Sequence, residues 1–362
     1  MKKRLTILLS LCLLISAAAW AVAAGSKDDP LVSLSYLTGE FSKTVNKQIT
    51  SALDDSDEEL LETLEKGEEL VETIPGWQEI RLKREDVLTG QTGTMVLPLA
   101  GDMKVSYDSG AVVDVTAGQV VAAGSSLAAN HRYLVAEDTK ANFVVAGKTA
   151  VLDYQGSAFF AYSDAVDYNA MAAALKKLHL FKGSFTGYGE GFDLELAPTR
   201  LQALIMFIRV LGEEDEALAW TGTTPFTDIE KGSQAEQYVG YAYSKGYTNG
   251  YTKTTFKPAG AVNAHQYTEF VLRAMGYSSV ANTNLADTLT RAQAAGLLTE
   301  GEAAALLTTP FLRAELVYIS YYALGTALPD GTMTLGDLLQ DKDVFTAAEW
   351  KTAKKLVTSN RM

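Results

Sequence analysis

A short pattern recurs three times in the C-terminal half of the chain. It is most complete at residues 246–276, where a glycine-containing loop and a Phe-x-Pro motif precede an apolar run that ends in glycine. A second version runs from 183 to 212, and a more divergent one from 296 to 325. The distance from the first glycine to the start of the apolar run is constant to within one residue. Such self-similarity is typical of repeat arrays, whose units bury one another's apolar faces.

Each version predicts one helix–loop–helix segment. Apolar residues recur every three or four positions on both sides of the loop, and glycine follows the last apolar turn, where a left-handed residue often ends a helix. We therefore expect three segments, at about 165–222, 223–280 and 281–350, termed here the first, middle and third segments. The six predicted helices lie at 168–180, 200–212, 235–245, 265–276, 285–296 and 313–324. Three such segments can close around a shared core and leave clefts between their loops.

The segments resemble S-layer homology domains. The residues that carry the resemblance are Phe226-Thr227-Asp228, Gly246, Gly250-Tyr251, Phe256-x-Pro258 and Arg313-Ala314-Glu315. The resemblance covers residues 165–350 and is closest in the loop of the middle segment. Domains of this family, usually in sets of three, hold bacterial surface proteins noncovalently on cell-wall polysaccharide. The resemblance therefore implies a noncatalytic, wall-binding array.

The resemblance also implies which residues bind. It places Arg200 and Arg313 at the start of second helices, facing clefts between segments. A guanidinium fork and helix N-terminal amides suit a carboxylate, such as that of a pyruvylated wall sugar. The further candidates are the loop glycines, which admit a ligand close to the backbone, and one aspartate: Gly183, Gly187, Gly246, Gly250 and Asp228. Asp228 could instead brace its loop, and the arginines could simply pair with acids such as Glu195 and Glu315.

Several positions depart from the family pattern. Ala264 aligns with Arg200, so one cleft is expected to lack its cation. The middle segment lacks the tryptophan expected in its first helix, and the third lacks the Phe-x-Pro loop. At most two clefts are therefore expected to bind. Arg209 and Arg273 recur at one register near helix ends, where the helix dipole accounts for a cation.

Residues 75–164 predict an all-β domain. Short runs rich in β-branched and aromatic residues alternate with glycine-containing turns, which indicates an antiparallel sandwich or roll. The predicted strands lie at 80–87, 94–99, 103–107, 112–115, 133–136, 143–145 and 150–154. A cupin-type metal site would need clustered histidines, and this section holds only His131. We therefore expect a domain without a metal.

The N-terminal 74 residues predict a signal peptide and a helical segment. A basic start, an apolar run and small residues before residue 24 are typical of a cleaved signal, with a membrane anchor as the alternative. The single cysteine, Cys12, would leave with it. Residues 25–74 are acidic, with an apolar face that suits packing within the domain or a coiled coil. Residues 351–362 are assigned to a tail.

Charge and motif content exclude several function classes. The formal net charge of −13 argues against nucleic acid and anionic membranes as partners, although a few arginines can still bind an acidic polysaccharide. No catalytic motif is present, and the histidines His131, His179 and His265 lie in separate sections. A polysaccharide-active enzyme using the β domain remains a weaker alternative, because carboxylate pairs alone discriminate nothing.

The sequence thus predicts an α+β protein with an N-terminal helical segment, an antiparallel β sandwich or roll, and an all-α array of three repeats. The expected function is a secreted, non-enzymatic protein of the cell wall or cell surface, without a cofactor or a transmembrane helix after signal cleavage. Its expected partner is secondary cell-wall polysaccharide, with pyruvylated sugar as the ligand that the resemblance suggests. The alternative is a scaffold whose degenerate repeats have lost sugar binding and serve protein assembly, including self-association.

Overall fold

The computed structural model describes residues 76–183, 187–278, 284–308 and 310–362, together with Lys43 and Lys47, which are both helical. The chain forms two compact units, Met1–Glu72 and Thr73–Met362. The predicted signal peptide at 1–24 lies outside the described residues. So does the predicted helical segment at 25–74, apart from those two lysines.

Ten short strands form an antiparallel two-sheet sandwich at the start of the second unit. One sheet has the strand order β1-β9-β3-β7-β5-β6, and the other has the order β10-β2-β8-β4. The strands are β1 Gln78–Lys83, β2 Val87–Gly90, β3 Met95–Ala100, β4 Met103–Ser106, β5 Ala111–Asp114, β6 Gln119–Val121, β7 Tyr133–Ala136, β8 Ala141–Val145, β9 Thr149–Gln155 and β10 Ala158–Ala161. Alternate residues point inward, so one core lies between the sheets and includes Val96 and Leu152 from the first sheet and Leu88 and Phe143 from the second.

The run predicted as one strand at 80–87 is two strands. A turn separates β1 from β2, and Glu85 within it has a φ of 65°, a left-handed conformation that ends a strand. Asp86 holds the turn, because its carboxylate accepts the backbone N–H of Lys83 at 2.9 Å and pairs with the Lys83 ammonium at 2.9 Å. The tertiary fold also adds β6 and β10, which the sequence pattern did not predict.

The remainder of the unit is helical. The helices are α1 Tyr168–Lys177, α2 Arg200–Val210, α3 Glu214–Leu218, α4 Gln234–Ser244, α5 Ala264–Ala274, α6 Thr288–Ala294, α7 Glu300–Thr308, α8 Arg313–Leu324, α9 Leu335–Asp341 and α10 Ala347–Leu356. All six predicted helices are present, several of them shorter than expected, and α10 crosses the boundary placed at residue 350. The architecture is α+β, as predicted.

The helices share one apolar core. Helices α2, α5 and α8 contact one another at its centre, while α4 packs on α2, α6 on α5 and α1 on α8. Phe207, Tyr267 and Tyr318 are among its fully buried side chains. The first amides of α2 and α8 donate to carbonyls in the loops of neighbouring segments. Within the described part of the chain, no helix is long and apolar enough to cross a membrane.

Candidate functional site

The start of α2 is fixed against the loop of the middle segment. Thr199 caps the helix with its side chain, which places Arg200 at the first helical position. The backbone N–H of Arg200 donates to the Gly260 carbonyl at 2.7 Å, and that of Leu201 donates to the Pro258 carbonyl at 3.1 Å. These amides have no partner within their own helix, so the neighbouring loop satisfies them.

The Arg200 side chain lies between two aromatic rings. Only 7% of the residue is exposed, and its guanidinium carbon lies 5.0 Å from the centre of the Phe256 ring and 5.5 Å from that of Phe270. One terminal nitrogen donates to the Gly250 carbonyl at 3.3 Å. The Nε–H is buried without a hydrogen-bond partner. An unpaired donor on a buried cation favours a bound acceptor, because leaving it unpaired costs about 1–3 kcal/mol.

A cleft of about 230 Å³ opens beside this guanidinium, and we term it the Arg200 cleft. It is lined by Arg200, Asn249, Gly250, Tyr251, Gln266, Glu269, Phe270, Arg273 and Leu285. Tyr251 is 54% exposed, and the Lys257 ammonium lies 3.6 Å from the centre of its ring. The cleft thus combines a buried cation, polar side chains and an exposed aromatic edge.

The charges around the cleft leave Arg200 without an acid. Glu269 is 1% exposed and pairs with Arg273 at 2.9 Å and Arg291 at 2.6 Å. Burial would raise the pKa of Glu269, but hydrogen bonds from Arg291 and Ser278 outweigh it and hold the pKa below its usual range. Glu269 is therefore ionised and already neutralised by its own arginines. Among the described residues, no carboxylate pairs with Arg200.

The pKa of Arg200 is lowered by burial and then by the nearby Arg273. A guanidinium begins so far above neutral pH that it remains charged. Because Arg273 is already paired with Glu269, the charge of Arg200 is the one that no described carboxylate balances in the cleft, and it creates a local positive field on a protein whose net charge is −13. This field favours an anion.

Arg313 begins α8 in the same way that Arg200 begins α2. Its backbone N–H donates to the Leu196 carbonyl at 2.8 Å, and that of Ala314 donates to the Leu194 carbonyl at 3.1 Å. The Arg313 side chain differs, because its Nε–H is satisfied by the Phe192 carbonyl at 3.1 Å. The acids considered as alternative partners are paired with other cations: Glu195 pairs with Arg81 and Glu315 pairs with Lys148.

The predicted loop glycines differ in backbone conformation. Gly246 follows α4 with a φ of 73°, and Gly250 and Gly187 have φ values of 84° and 83°, so all three adopt the left-handed conformation. Gly183 does not. His179, with a φ of 63°, follows α1 as Gly246 follows α4. The first loop therefore begins four residues earlier than the sequence pattern placed it, because a histidine occupies the position where glycine is usual.

Asp228 braces the loop of the middle segment. Its carboxylate accepts the backbone N–H groups of Phe256 at 2.8 Å and Lys257 at 2.7 Å. Burial would raise the pKa of Asp228, but these two hydrogen bonds outweigh it and lower the pKa. The aspartate thus shapes the loop that carries Phe256, and it does not line the Arg200 cleft.

The structure adds residues to the site that the sequence reasoning missed. Arg273, which was assigned to the helix dipole, lines the Arg200 cleft together with Gln266 and Tyr251. The usable signal was the recurrence of arginine at one register in two segments, at 209 and 273. Ala264, 3% exposed at the start of α5, supplies no cation, in line with the predicted departure.

The other candidates carry no site in the described residues. His131 Nδ1 lies 2.7 Å from the Asp114 carboxylate, which orients the ring. No group of three histidine, cysteine or acidic residues in the described part of the chain could hold a metal ion.

Comparison with known protein families finds a match in the helical part of the chain. The S-layer homology domain family model matches residues 225–263, which include Asp228, Gly246, Gly250 and Phe256. No curated protein matches the chain significantly. Domains of this family are noncatalytic modules that bind cell-wall polymers, which implies association with the cell surface. The match confirms that the chain resembles S-layer homology domain proteins, and it falls on the loop that forms the Arg200 cleft.

Proposed function

We propose that this protein is a secreted, noncatalytic protein of the cell envelope, which its three helical segments anchor to cell-wall polysaccharide. The observation that carries the proposal is the Arg200 cleft, which combines a buried cation that has an unpaired N–H with three loop residues of the matched region, Asn249, Gly250 and Tyr251. We propose further that the three segments form one closed array.

Two features support the array. The paired amide contacts at the start of α2 recur at the start of α8, against the loop of a different segment each time. Each first helix also packs on the second helix of another segment: α4 on α2, α6 on α5 and α1 on α8. Each segment thus packs its first helix on the preceding segment, and the first segment packs its own on the third, as expected for a closed ring of three.

The chemistry of the Arg200 cleft suits an acidic sugar. A ligand carboxylate in the cleft would be attracted by the Arg200 guanidinium, whose charge no described carboxylate balances. The exposed ring of Tyr251 offers an apolar surface at the edge of the cleft, and Asn249 and Gln266 offer amides to hydroxyl groups. A sugar carrying a pyruvyl ketal has both the carboxylate and the hydroxyls.

A cosedimentation assay with purified cell walls tests the proposal. Arg200→Ala should weaken retention on walls about 10- to 100-fold, since a hydrogen bond to a charged group contributes about 1.5–3 kcal/mol. Tyr251→Ala, at an exposed position, should weaken retention without affecting folding. Arg132→Ala removes an exposed arginine of the sandwich and serves as the control.

The outcomes separate anchoring from assembly. Walls chemically stripped of polysaccharide, or of pyruvate, should retain less of the wild-type protein. Equal retention of wild type, Arg200→Ala and Tyr251→Ala would contradict the proposal. Stable self-association in sedimentation velocity, without retention on walls, would favour the assembly scaffold instead.

A further inference from the structure

Two cations of the sandwich reach into the helical part of the unit. Arg81, on β1, donates from Nε to Asn169 at 2.9 Å, from Nη1 to the Gly189 carbonyl at 3.0 Å and from Nη2 to Glu195 at 2.5 Å. Lys148, in the turn before β9, is the second cation. Both side chains are about nine-tenths buried, with 10% and 11% exposed. Such burial requires a close interface between sandwich and helices.

Arg81 holds the loop of the first segment. Two side chains of β1 hydrogen-bond to the backbone of Gly189: its carbonyl accepts from Arg81, and its N–H donates to the Glu79 carboxylate at 2.7 Å. Only glycine fits there: its φ is 57°, and a Cβ would lie 2.2 Å from Arg81 Nη1. The Arg81 guanidinium also lies 5.5 Å from the centre of the Phe192 ring.

The same loop supports Arg313. Its carbonyls at Phe192, Leu194 and Leu196 accept the Arg313 side chain and the first two amides of α8. A change in the position of this loop would therefore be transmitted to the start of α8. In the described residues Arg81 makes no hydrogen bond or ion pair with α8, whereas it binds the loop that carries Gly189 and Glu195. We therefore expect an effect of Arg81 on Arg313 to pass through this loop.

Lys148 holds the opposite side of the same junction. Its ammonium pairs with Glu315, a residue of α8 that is 1% exposed, and donates to the Pro310 carbonyl at 3.2 Å. The other oxygen of Glu315 accepts the backbone N–H of Leu312 at 2.7 Å, which fixes the residue before α8. Lys148 thus contacts the start of α8 directly, while Arg81 contacts the loop that hydrogen-bonds to the start of α8.

Among the residues that the structure describes, no side chain of the sandwich forms a hydrogen bond or ion pair with the Arg200 site. Its contacts, to Gly250, Phe256, Pro258, Gly260 and Phe270, all come from the middle segment. The two arginine sites therefore differ in what positions them, although their backbone contacts match.

We infer that the sandwich is a positioning element for the Arg313 site, with Arg81 and Lys148 as positioning residues. The expected effect of these residues on ligand binding rests on the proposed function, whereas their effect on the position of α8 does not. Removing either cation would leave a buried carboxylate unpaired, which loosens the junction.

Hydrogen exchange on the full chain tests the inference without any ligand. The amides of Arg313 and Ala314 are protected by the loop alone, because the first amides of a helix have no partner within it. Arg81→Met should speed their exchange at least tenfold and leave Arg200 and Leu201 unchanged. Arg81→Lys, which retains the charge and loses the planar fork, should have a smaller effect. Arg132→Met is the matched control.

Uniform acceleration at all four amides, or none at Arg313 and Ala314, would overturn the inference. Wall binding supplies a second readout: the effects of Arg81→Met and Arg313→Ala should not add, whereas those of Arg81→Met and Arg200→Ala should. If the wild-type protein is not retained on walls, the proposed function fails, and the exchange experiment still decides the positioning role.

Discussion

At the scale of single residues, local conformation and close contact decide which positions shape the Arg200 cleft. Gly250 and Gly246 are both left-handed, yet their surroundings differ. A Cβ on Gly250 would lie 2.3 Å from the Phe226 ring and 2.6 Å from the Thr252 carbonyl, whereas one on Gly246 would meet nothing within 4 Å. Gly250 is therefore fixed by both conformation and space, and Gly246 by conformation alone.

This difference predicts unequal costs for the two alanine variants. Gly246→Ala should lower the free energy of unfolding by about 1 kcal/mol, the cost of a left-handed alanine. Gly250→Ala should lower it by about 3 kcal/mol, because the loop must also shift. Urea denaturation of the two variants measures the difference. Equal costs would show that the Phe226 contact does not constrain the loop.

At the scale of elements, a carboxylate joins helices that the sequence treats separately. Glu214, on α3, pairs with Lys182 and with Arg209 of α2 at 2.8 Å, and it accepts the hydroxyl of Tyr238 on α4 at 2.6 Å. Burial would raise the pKa of Glu214, but the hydrogen bonds from Lys182, Tyr238 and Arg209 outweigh it and lower the pKa to about 2. The junction of these helices therefore depends on an ionised Glu214.

The sign of the resulting pH dependence follows from linkage. The pKa of Glu214 is lower in the folded protein than the unfolded value of about 4.3, so its stabilisation is present above that pH and is lost as pH falls toward about 2. The melting temperature of Glu214→Gln should therefore be below that of the wild type at pH 6, and the gap should narrow by pH 2.5. Exposed Glu216→Gln is the control. A gap that stays constant over this range would contradict the assignment.

The elements also show how far sequence periodicity reaches. It predicted both α8 and β7 at their observed bounds. In each of them the apolar residues recur regularly and face one core. It missed α3, α7, α9 and α10, and it assigned the second half of α10 to the tail at 351–362. It also placed the first loop glycine at Gly183, since it had no means to know that His179 would adopt the left-handed conformation.

At the scale of the whole molecule, the last residues of the chain complete the third segment. Arg361 binds the Glu302 carboxylate through two nitrogens, each at 2.6 Å, and donates to the Leu297 carbonyl at 3.0 Å. Its guanidinium lies 4.0 Å from the centre of the Tyr322 ring. Met362 donates its backbone N–H to the hydroxyl of Tyr318 at 3.0 Å. The tail is thus part of the helical core.

Arg361 repeats a contact of the middle segment. Arg273 donates to the carbonyl of Tyr247, the residue after Gly246, at 3.4 Å. Arg361 makes the matching contact in the third segment, because it donates to the carbonyl of Leu297, the residue after Gly296. The helix position that Arg273 occupies in the middle segment is Tyr322 in the third segment. The tail therefore supplies the cation that α8 lacks at the register of Arg273.

Removal of this cation should destabilise the whole unit. Glu302 is 0% exposed, so Arg361→Ala would leave a buried carboxylate with less compensation, and the free energy of unfolding should fall by about 2 kcal/mol. Arg361 is itself partly exposed, which keeps the cost below that of a fully buried pair. Lys351→Ala, on the surface of α10, is the control. Urea denaturation midpoints that coincide for the two variants would contradict a structural role for the tail.

The sequence by itself determined the α+β class, the six helices of the segments and the resemblance that the family match confirmed. These depend on periodicity and on local spacing, which a linear chain records directly. It also directed attention to the arginines at the starts of second helices, because a helix start is a local feature.

Only the tertiary structure decided what those arginines meet. Arg200 lies beside a cleft with its Nε–H unbonded among the described residues, while Arg313 contacts a loop that Arg81 holds from the sandwich. Arg81 and Glu195 are far apart in the sequence, and no local pattern relates them. Contacts of this kind arise from the packing of complete surfaces, which is why a reading of one sequence cannot supply them.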